Sequence, residues 1–280
     1  MIINSRDRVF KRTSPSPFEV AEALKEQIAG KNRSREEITD SPDYRNNDKG
    51  LKISEDTLKD EFPSANIRPL VLDLSSSASV RQAAATVNAY PVSERLHVLV
   101  HNAAATAGVY TITDEGIELQ LATAHVGPFL FTKLLAPNLL STHTSTLIPR
   151  VVFVSSRAHA QLGEAAIDLA HFRMEPADAN TPIGQNQRYG EVKAANVLMA
   201  VELSRRAKAS STHIVFILAM GMLSGDGKPQ ENMFAKWKTL AQGAATTVAA
   251  AFDPRLNDKP GAYLVDGTGE RFGRAVRRTR

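Results

Sequence analysis

The sequence predicts an α/β fold in which helices cover both faces of a parallel sheet. Short, almost continuously apolar runs such as "RLHVLVHNA", "PRVVFVSS" and "HIVFILAM" have the length and composition of buried strands. Helical segments separate these runs along the chain, and this alternation is typical of parallel sheets. The 280 residues suit one such domain, which we expect to span 1–280.

In the N-terminal part, the sequence predicts a strand, then a helix, and then a polar segment at the surface. The run "MIIN" is interpreted as a strand, and "SPFEVAEALKEQIAG" as a helix that Ser16 caps and Gly30 ends. The following residues, about 31–62, are polar and charged. They predict a surface insertion with a short helix near "SEDTLKDEF".

From there strands and helices alternate regularly. The predicted strands are "IRPLVLDL", "RLHVLVHNA", "PRVVFVSS", "HIVFILAM" and "GAYLVDG". The predicted helices are "SASVRQAAATVNAY", "GIELQLATAHVGPFLFTKLLAPNLL", "YGEVKAANVLMAVELSRRAK" and "TLAQGAATTVAAAF".

Composition argues against several classes of function. The chain has no cysteine, and none of its seven histidines stands in a metal-ligand spacing, so we predict no metal site. The net charge of +4 comes from basic residues at the two ends without an aromatic stripe, which argues against a nucleic-acid partner. No apolar run reaches the ~18 residues of a membrane span. We therefore expect a cytoplasmic protein.

The pair Tyr189 and Lys193 in "YGEVK" carries the clearest chemistry. Residues four apart share a face of a helix, so the ammonium can lower the pKa of the phenol. Such a tyrosine can exchange a proton with a carbonyl or alcohol oxygen. Taken alone, the pair is a weak signal, and a solvated tyrosine beside a lysine that extends to solvent is the favoured interpretation.

The wider context favours the chemical reading. Together "RVVFVSSRAH" and "YGEVKAANVL" resemble the Ser and Tyr-x-x-x-Lys site of the short-chain dehydrogenases/reductases, above all the retinol-dehydrogenase-like branch and its fungal relatives. The resemblance implies that Ser156 binds the substrate oxygen and that Tyr189 is the acid/base. Lys193 would tune Tyr189 and hold the nicotinamide ribose together with it.

The same resemblance implies an NADP site on a Rossmann-like, doubly wound sheet. Asp73 in "LVLDLSS", with Leu74 beside it, matches the segment that contacts the adenine, and Asn102 in "LVHNAAA" matches the next strand end. Arg6 in "NSRD" would face the 2′-phosphate, which favours NADP over NAD. Arg6 can equally be an exposed charge at the end of a strand.

The chain departs from the family at its start. The family opens with a strand and a T-G-x-x-x-G-x-G turn that binds the pyrophosphate, whereas this chain begins at what resembles the second strand. We therefore expect the first βα unit to be missing from a sheet of order 3-2-1-4-5-6-7. A later match to the glycine spacing, at Gly221, Gly225 and Gly227, is interpreted as a coincidence.

Other departures lie near the site. Ala124 replaces the family's catalytic asparagine in "TAHVG", but Pro128 cannot donate to the carbonyl of Ala124, so the kink and the free carbonyl can survive by another route. Ala104 replaces a glycine in "NAA", and Met220 replaces a proline. The segment "AIDLAHFRMEPADANTPIGQN" lengthens the distance between serine and tyrosine and is expected over the substrate pocket.

Two functions follow from these features. The first is an NADP-dependent oxidoreductase that interconverts an alcohol and a ketone or aldehyde on an apolar small molecule, in secondary or in lipid- and retinoid-like metabolism. The alternative is a non-catalytic or truncated dehydrogenase-like protein that binds a ligand or partner. The resemblance also implies a homodimer formed by the helices of Ala124 and Tyr189.

Overall fold

The computed structural model describes most of the chain beyond residue 66. The described ranges are 33–35, 67–104, 109–144, 147–156, 158–161, 167–173, 175–220, 240–265 and 268–270, with short pieces at 52, 55–56, 59–60, 63, 231–232 and 235–236. The predicted strand "MIIN", the helix after it, Arg6 and the three glycines Gly221, Gly225 and Gly227 lie outside them.

Six strands form the main sheet of the described residues, in the order β1-β2-β3-β4-β7-β8. They are β1 (Arg33–Arg35), β2 (Val98–His101), β3 (Arg150–Ser155), β4 (Val215–Met220), β7 (Tyr263–Val265) and β8 (Thr268–Glu270). All neighbours pair in parallel except β7 and β8. The strands β5 (Glu231–Asn232) and β6 (Ala235–Lys236) form a separate antiparallel pair. The predicted parallel α/β sheet is confirmed.

Helices cover both faces of this sheet. They are α1 (Ser77–Asn88), α2 (Leu119–Leu121), α3 (Gly127–Leu140), α4 (Ala158–Gln161), α5 (Pro182–Ala209) and α6 (Leu240–Phe252). A π-helical turn, Ala122–Val126, joins α2 to α3. Among the described residues, no helix combines the length and apolar character needed to cross a membrane.

The core lies in two layers because successive strand residues point to opposite faces. In β3, Val151 and Phe153 pack with Phe131 and Leu135 of α3 in one buried cluster. Val152, between them, packs with residues of α6 in the other. Each central strand is therefore buried on both sides, which explains its continuous apolar sequence.

The prediction of a strand at "IRPLVLDL" was wrong. Residues 67–73 have no strand assignment, although Leu70 and Leu72 pack against the core and Leu74 is buried in it. The apolar alternation signalled burial, but a strand also requires a free edge for pairing. The available edge of β2 is occupied by β1, which pairs Arg33–Arg35 with Val98–Val100.

The same finding corrects the polar insertion. Residues 33–35 join the main sheet, so the segment 31–62 is not wholly a surface excursion. Its predicted short helix agrees with the helical residues 55, 56, 59 and 60. There Lys52 pairs with Asp56 at 3.0 Å, and Lys59 pairs with Glu55.

Candidate active site

Two long elements carry the predicted catalytic side chains. Helix α5 begins at Pro182, earlier than the predicted start at Tyr189, because Thr181 caps it by accepting a hydrogen bond from the Gly184 N–H at 3.1 Å. Tyr189 and Lys193 therefore lie well inside a 28-residue helix. Ser156 directly follows β3, every residue of which is buried. Both supports are regular secondary structure.

The structure brings Ser156, Tyr189 and Lys193 together. The buried Ser156 side chain lies close enough to the half-buried Tyr189 to influence the pKa of its phenol. The Lys193 ammonium lies over the Tyr189 ring, 5.5 Å from its centroid, and donates to the Val154 carbonyl at 3.0 Å. The Ser155 hydroxyl donates to the Lys193 carbonyl at 3.2 Å, which ties the end of β3 to α5.

The pKa of Tyr189 is shifted upwards, whereas the sequence predicted that Lys193 would lower it. Burial raises the pKa of the phenol, and the neighbouring Ser156 side chain offsets only part of this effect. Lys193 therefore does not lower the pKa of Tyr189 below its ordinary value in this structure. Burial lowers the pKa of Lys193 itself to about 8. Burial thus disfavours the charged form of both groups.

The π turn is held by a residue that the sequence did not single out. The N–H of Gly127 donates to the carbonyl of Ala122, five residues back, so the helix is wider here. Pro128 has no N–H for the carbonyl of Ala124. The Asn196 side chain supplies the donor instead, with 2.9 Å between Nδ2 and the carbonyl oxygen. The expectation of a free carbonyl at Ala124 was therefore wrong.

The segment between α4 and α5 is packed against the site. Phe172 is buried with Ala124 and Val192, and Ala104 packs against this cluster. The methyl group of Ala104 therefore has an apolar contact that a glycine would lack. The described part of the segment, here called the wall, thus packs against both the π turn and α5.

A buried ion pair fastens this wall. Arg188 and Glu118 are 2% and 1% exposed, with 3.6 Å between Nε and Oε1. Arg188 Nη1 donates to the Ala179 carbonyl at 2.5 Å, and its guanidinium lies over the ring of Tyr110, 5.2 Å from the centroid. Burial raises the pKa of Glu118, while Arg188 and the Leu121 N–H oppose that shift.

A second polar contact lies one helical turn further on. The buried Glu191 accepts a hydrogen bond from Gln187 at 3.1 Å, and its carboxylate is 3.0 Å from Nδ1 of His171. His171 belongs to the short 3₁₀ helix Leu169–Phe172 within the segment. Arg188 and Glu191 thus fasten the same segment to α5 on either side of Tyr189 in sequence.

The structure does not bring the predicted cofactor residues Asp73, Leu74 and Asn102 together as it does the three predicted catalytic residues. One carboxylate oxygen of Asp73 accepts from the Ser75 N–H at 2.8 Å and from its hydroxyl at 2.6 Å. Leu74 is buried, and its carbonyl oxygen would lie 2.2 Å from a Cβ at Gly127, so the backbones approach where only glycine fits. Asn102 is exposed just after β2.

No family model matches the chain. Individual proteins do match it. Short-chain dehydrogenase TIC 32 A, chloroplastic, of Brassica napus is 31% identical over 233 residues, which are 79% of this chain and 70% of that protein. Short-chain dehydrogenase/reductase pkfC of Emericella nidulans is 34% identical over 229 residues, 76% and 69% of the two chains.

The chain belongs to the short-chain dehydrogenase/reductase family. Another relative in this family of oxidoreductases, prx1 of Penicillium rubens, is 32% identical over 227 residues, and this chain spans 64% of its length. The predicted family is thereby confirmed.

Solved structures of short-chain dehydrogenases/reductases share the fold. The NADPH-bound carbonyl reductase from chicken fatty liver aligns with a TM-score of 0.56 at 19% identity, over 78% of this chain and 80% of that one. The landomycin C-6 ketoreductase LanV, with bound NADP and rabelomycin, aligns with a TM-score of 0.53 at 17% identity, over 77% and 80%. Both likenesses support the Rossmann-like fold.

Proposed function

We propose that this chain is an NADP-dependent oxidoreductase that interconverts an alcohol and a ketone or aldehyde on an apolar small molecule. The observation that carries the proposal is the convergence of Ser156, Tyr189 and Lys193 at the junction of β3 and α5. A hydroxyl, a phenol and a buried ammonium in contact are suited to moving one proton to or from an oxygen atom.

Each side chain has a distinct role in this proposal. In the reductive direction the Tyr189 hydroxyl donates its proton to the substrate oxygen, and in the oxidative direction the phenolate accepts it. Ser156 donates a hydrogen bond to the same oxygen and so fixes it near the phenol. Lys193 holds positive charge beside the phenolate as it forms, which favours that form.

The donor set at Lys193 fits a nicotinamide ribose. An ammonium has three N–H donors, and for Lys193 the structure assigns one of them, to the Val154 carbonyl. The remaining donors suit ribose hydroxyls. We propose that Lys193 and Tyr189 hold this end of NADP, with Asn102, Asp73 and Leu74 towards the adenine. When bound, the cofactor supplies or accepts the hydride.

Preference for NADP over NAD is assigned to Arg6, which lies outside the described residues. A guanidinium can bind the 2′-phosphate that only NADP carries. Replacing Arg6 by alanine should weaken NADPH binding and leave NADH binding unchanged in calorimetry. Equal losses for the two cofactors would contradict this assignment.

The apolar wall beside Tyr189 supports an apolar substrate. Val192, one helical turn after Tyr189, is buried with Ala124 and Phe172. The named relatives prx1 and pkfC are fungal dehydrogenases/reductases, and LanV is a ketoreductase solved with rabelomycin. We therefore place the reaction in secondary metabolism or in lipid- and retinoid-like metabolism.

The test is NADPH consumption by the purified chain with a panel of aromatic, aliphatic and polyene ketones and aldehydes. The proposal expects turnover that requires an apolar carbonyl compound and is lost in Tyr189→Phe. The alternative, a non-catalytic protein that binds a ligand or partner, expects ligand binding without turnover. Binding of NADPH by calorimetry separates a protein that binds cofactor without reacting from one that does neither.

We also propose a cytoplasmic homodimer that packs through α3 and α5. Large apolar side chains are exposed on both helices, namely Phe129, Leu198 and Val201. Sedimentation should show a dimer for the wild type and a monomer for Leu198→Glu. A wild-type monomer would contradict the proposed dimer.

Fluorescence microscopy of a tagged chain tests the proposed cytoplasmic location.

A further inference from the structure

One buried side chain joins the π turn to the face of α5 that carries the proposed acid/base. Asn196 is 3% exposed and follows Tyr189 by seven residues, which is about two helical turns. It therefore lies on the same face of α5 as Tyr189, one turn beyond Lys193. Its amide reaches across to the π turn rather than along its own helix.

Both polar atoms of this amide are used. Nδ2 donates to the carbonyl of Ala124 at 2.9 Å, and Oδ1 lies 2.9 Å from Nδ1 of His125. The orientation of the amide is fixed, since a carbonyl can only accept and so requires the NH₂ group. Oδ1 is therefore the atom that faces His125, and it requires a proton on Nδ1 of that ring.

The contact provides a donor for a carbonyl that would otherwise have none in its own helix. Pro128 cannot donate to the carbonyl of Ala124, and Ala124 is buried. A buried carbonyl without a donor is unfavourable. Asn196 donates to this carbonyl from α5. The shape of the π turn therefore depends on the position of α5, and the position of α5 depends on the shape of the turn.

We infer that Asn196 is a positioning residue: it fixes the π turn against α5 and thereby holds Tyr189 and Lys193 in register with Ser156. This inference rests on the proposed function for its catalytic consequence. Asn196 contacts neither Tyr189 nor Ser156 in the hydrogen bonds of the structure, and it acts through Ala124 and His125.

The kinetic test uses two substitutions that separate the two hydrogen bonds. Asn196→Leu removes both, whereas Asn196→Asp retains an acceptor for His125 and loses the donor to Ala124. We expect kcat to fall by roughly 10- to 100-fold in Asn196→Leu, because a small displacement of reacting groups has effects of that size. KM should change by no more than about twofold, since the substrate loses no direct contact.

Asn138 provides a matched control. It is a 5% exposed asparagine on α3 that also uses both polar atoms, accepting from the Leu96 N–H at 2.9 Å and donating to the Val87 carbonyl at 3.4 Å. Asn138→Leu should lower Tm and leave kcat unchanged below the melting range. If Asn196→Leu behaves in the same way, Asn196 is only structural and the inference is wrong.

Magnetic resonance supplies a test that needs no turnover. In the wild type, ¹⁵N spectra should show His125 with its proton on Nδ1 when the ring is neutral, and Asn196→Leu should release this preference. The ¹³C signal of the Tyr189 ring should move in Asn196→Leu and stay in place in Asn138→Leu. His125→Gln and Tyr189→Phe assign the two signals.

The outcomes separate the two claims. A wild-type His125 protonated on Nε2, or a Tyr189 signal that Asn196→Leu leaves unchanged, would overturn the inference whatever the activity. Suppose that Asn196→Leu displaces the Tyr189 signal but the wild type shows no turnover. This result would contradict the proposed function and still support the positioning of Tyr189 by Asn196. If Asn196→Leu does not fold, Asn196→Asp is measured in its place, with a displaced Tyr189 signal as the expected result.

Discussion

The junction of β3 and α5 and the edge formed by β1 and β2 differ in how their side chains are held. At the junction, Lys193 bonds to the backbone of β3 and Ser155 bonds to the backbone of α5. At the edge, β1 contributes three residues. In the turn before α1, Asp73 is held by near neighbours in sequence, Ser75 and Ser79. Lys193 and Ser155, the residue before Ser156, are therefore fixed by long-range contacts, whereas Asp73 is held in a local turn.

This difference indicates where the site is preorganised. Groups fixed by two elements cannot reorient without moving a helix or a strand, which suits catalysis. Groups on a local turn can adjust to a ligand at lower cost. We expect substitutions at the junction to have large effects on rate or stability, and those at the edge to have small ones.

The largest expected effect is on turnover in Tyr189→Phe. Removing the phenol hydroxyl should lower kcat by about 10²–10⁴-fold, the usual contribution of a general acid/base. The aromatic ring is retained, so Tm should stay within a few degrees of the wild type. Tyr90→Phe is a matched control, because Tyr90 is also half-buried but lies against Arg68. Similar kcat values for the two variants would remove Tyr189 from the mechanism.

Breaking the ion pair of Arg188 and Glu118 should have a large effect on stability. Arg188→Met leaves the Glu118 carboxylate buried without its cation, which typically lowers the free energy of unfolding by about 3–5 kcal/mol. The double variant Glu118→Gln/Arg188→Met should recover a large part of this loss. Urea denaturation of the two single variants and the double variant measures the coupling. A single variant as stable as the wild type would show that the wall does not depend on this pair.

Lys193 should give a distinctive pH dependence. Its folded-state pKa of about 8 lies below the ordinary 10.5, so between these values the folded protein binds fewer protons than the unfolded chain. The free energy of unfolding should therefore rise with pH across this window, by about 3 kcal/mol in total. Below pH 8 the full cost of the buried ammonium is present.

The variant Lys193→Met isolates this contribution. It should lack the rise between pH 8 and 10.5, and it should also lose turnover. Lys133→Met, at an exposed position of α3, is the control for removing a lysine. Parallel pH profiles for wild type and Lys193→Met would contradict the lowered pKa.

The smallest expected effect is at the edge. Ser34→Pro removes a backbone donor from β1 and should lower the free energy of unfolding by about 1 kcal/mol, the net value of a typical hydrogen bond. Val152→Pro, in the centre of β3, should prevent folding because it disrupts a strand that is paired on both sides. Ser34→Ala is the control. Similar destabilisation by Ser34→Pro and Val152→Pro would contradict the proposed difference between the edge strand and the centre of the sheet.

The parts of the molecule that could be predicted are those that local sequence determines. Strands β2, β3, β4 and β7 are apolar runs buried on both faces, and their length and composition identify them. The proposed site residues Ser156, Tyr189 and Lys193 were selected because the segments around them resemble the Ser and Tyr-x-x-x-Lys site of the family. In that pattern two of the residues share a helix face and the third follows a buried strand.

The rest depended on contacts that are distant in sequence. Pro128 indicated that the carbonyl of Ala124 loses its helical donor, but nothing local showed that Asn196, 72 residues away, replaces it. Leu70 and Leu72 alternate like strand residues, yet pairing at β2 is taken by β1, a polar tripeptide without a strand signal. The pairing of Glu118 with Arg188 is likewise long-range and leaves no local pattern.

Isotope transfer tests the central claim most directly. The wild-type chain is incubated with NADPH in which both hydrogens at C4 of the nicotinamide are deuterium, and with the carbonyl compound that it consumes fastest. We predict an alcohol product with one deuterium on the carbinol carbon, formed by the wild type and reduced by at least about 10²-fold in Tyr189→Phe. An unlabelled product, no product from the wild type, or equal labelled product from both proteins would contradict the assignment of Ser156, Tyr189 and Lys193 as a carbonyl-reducing site.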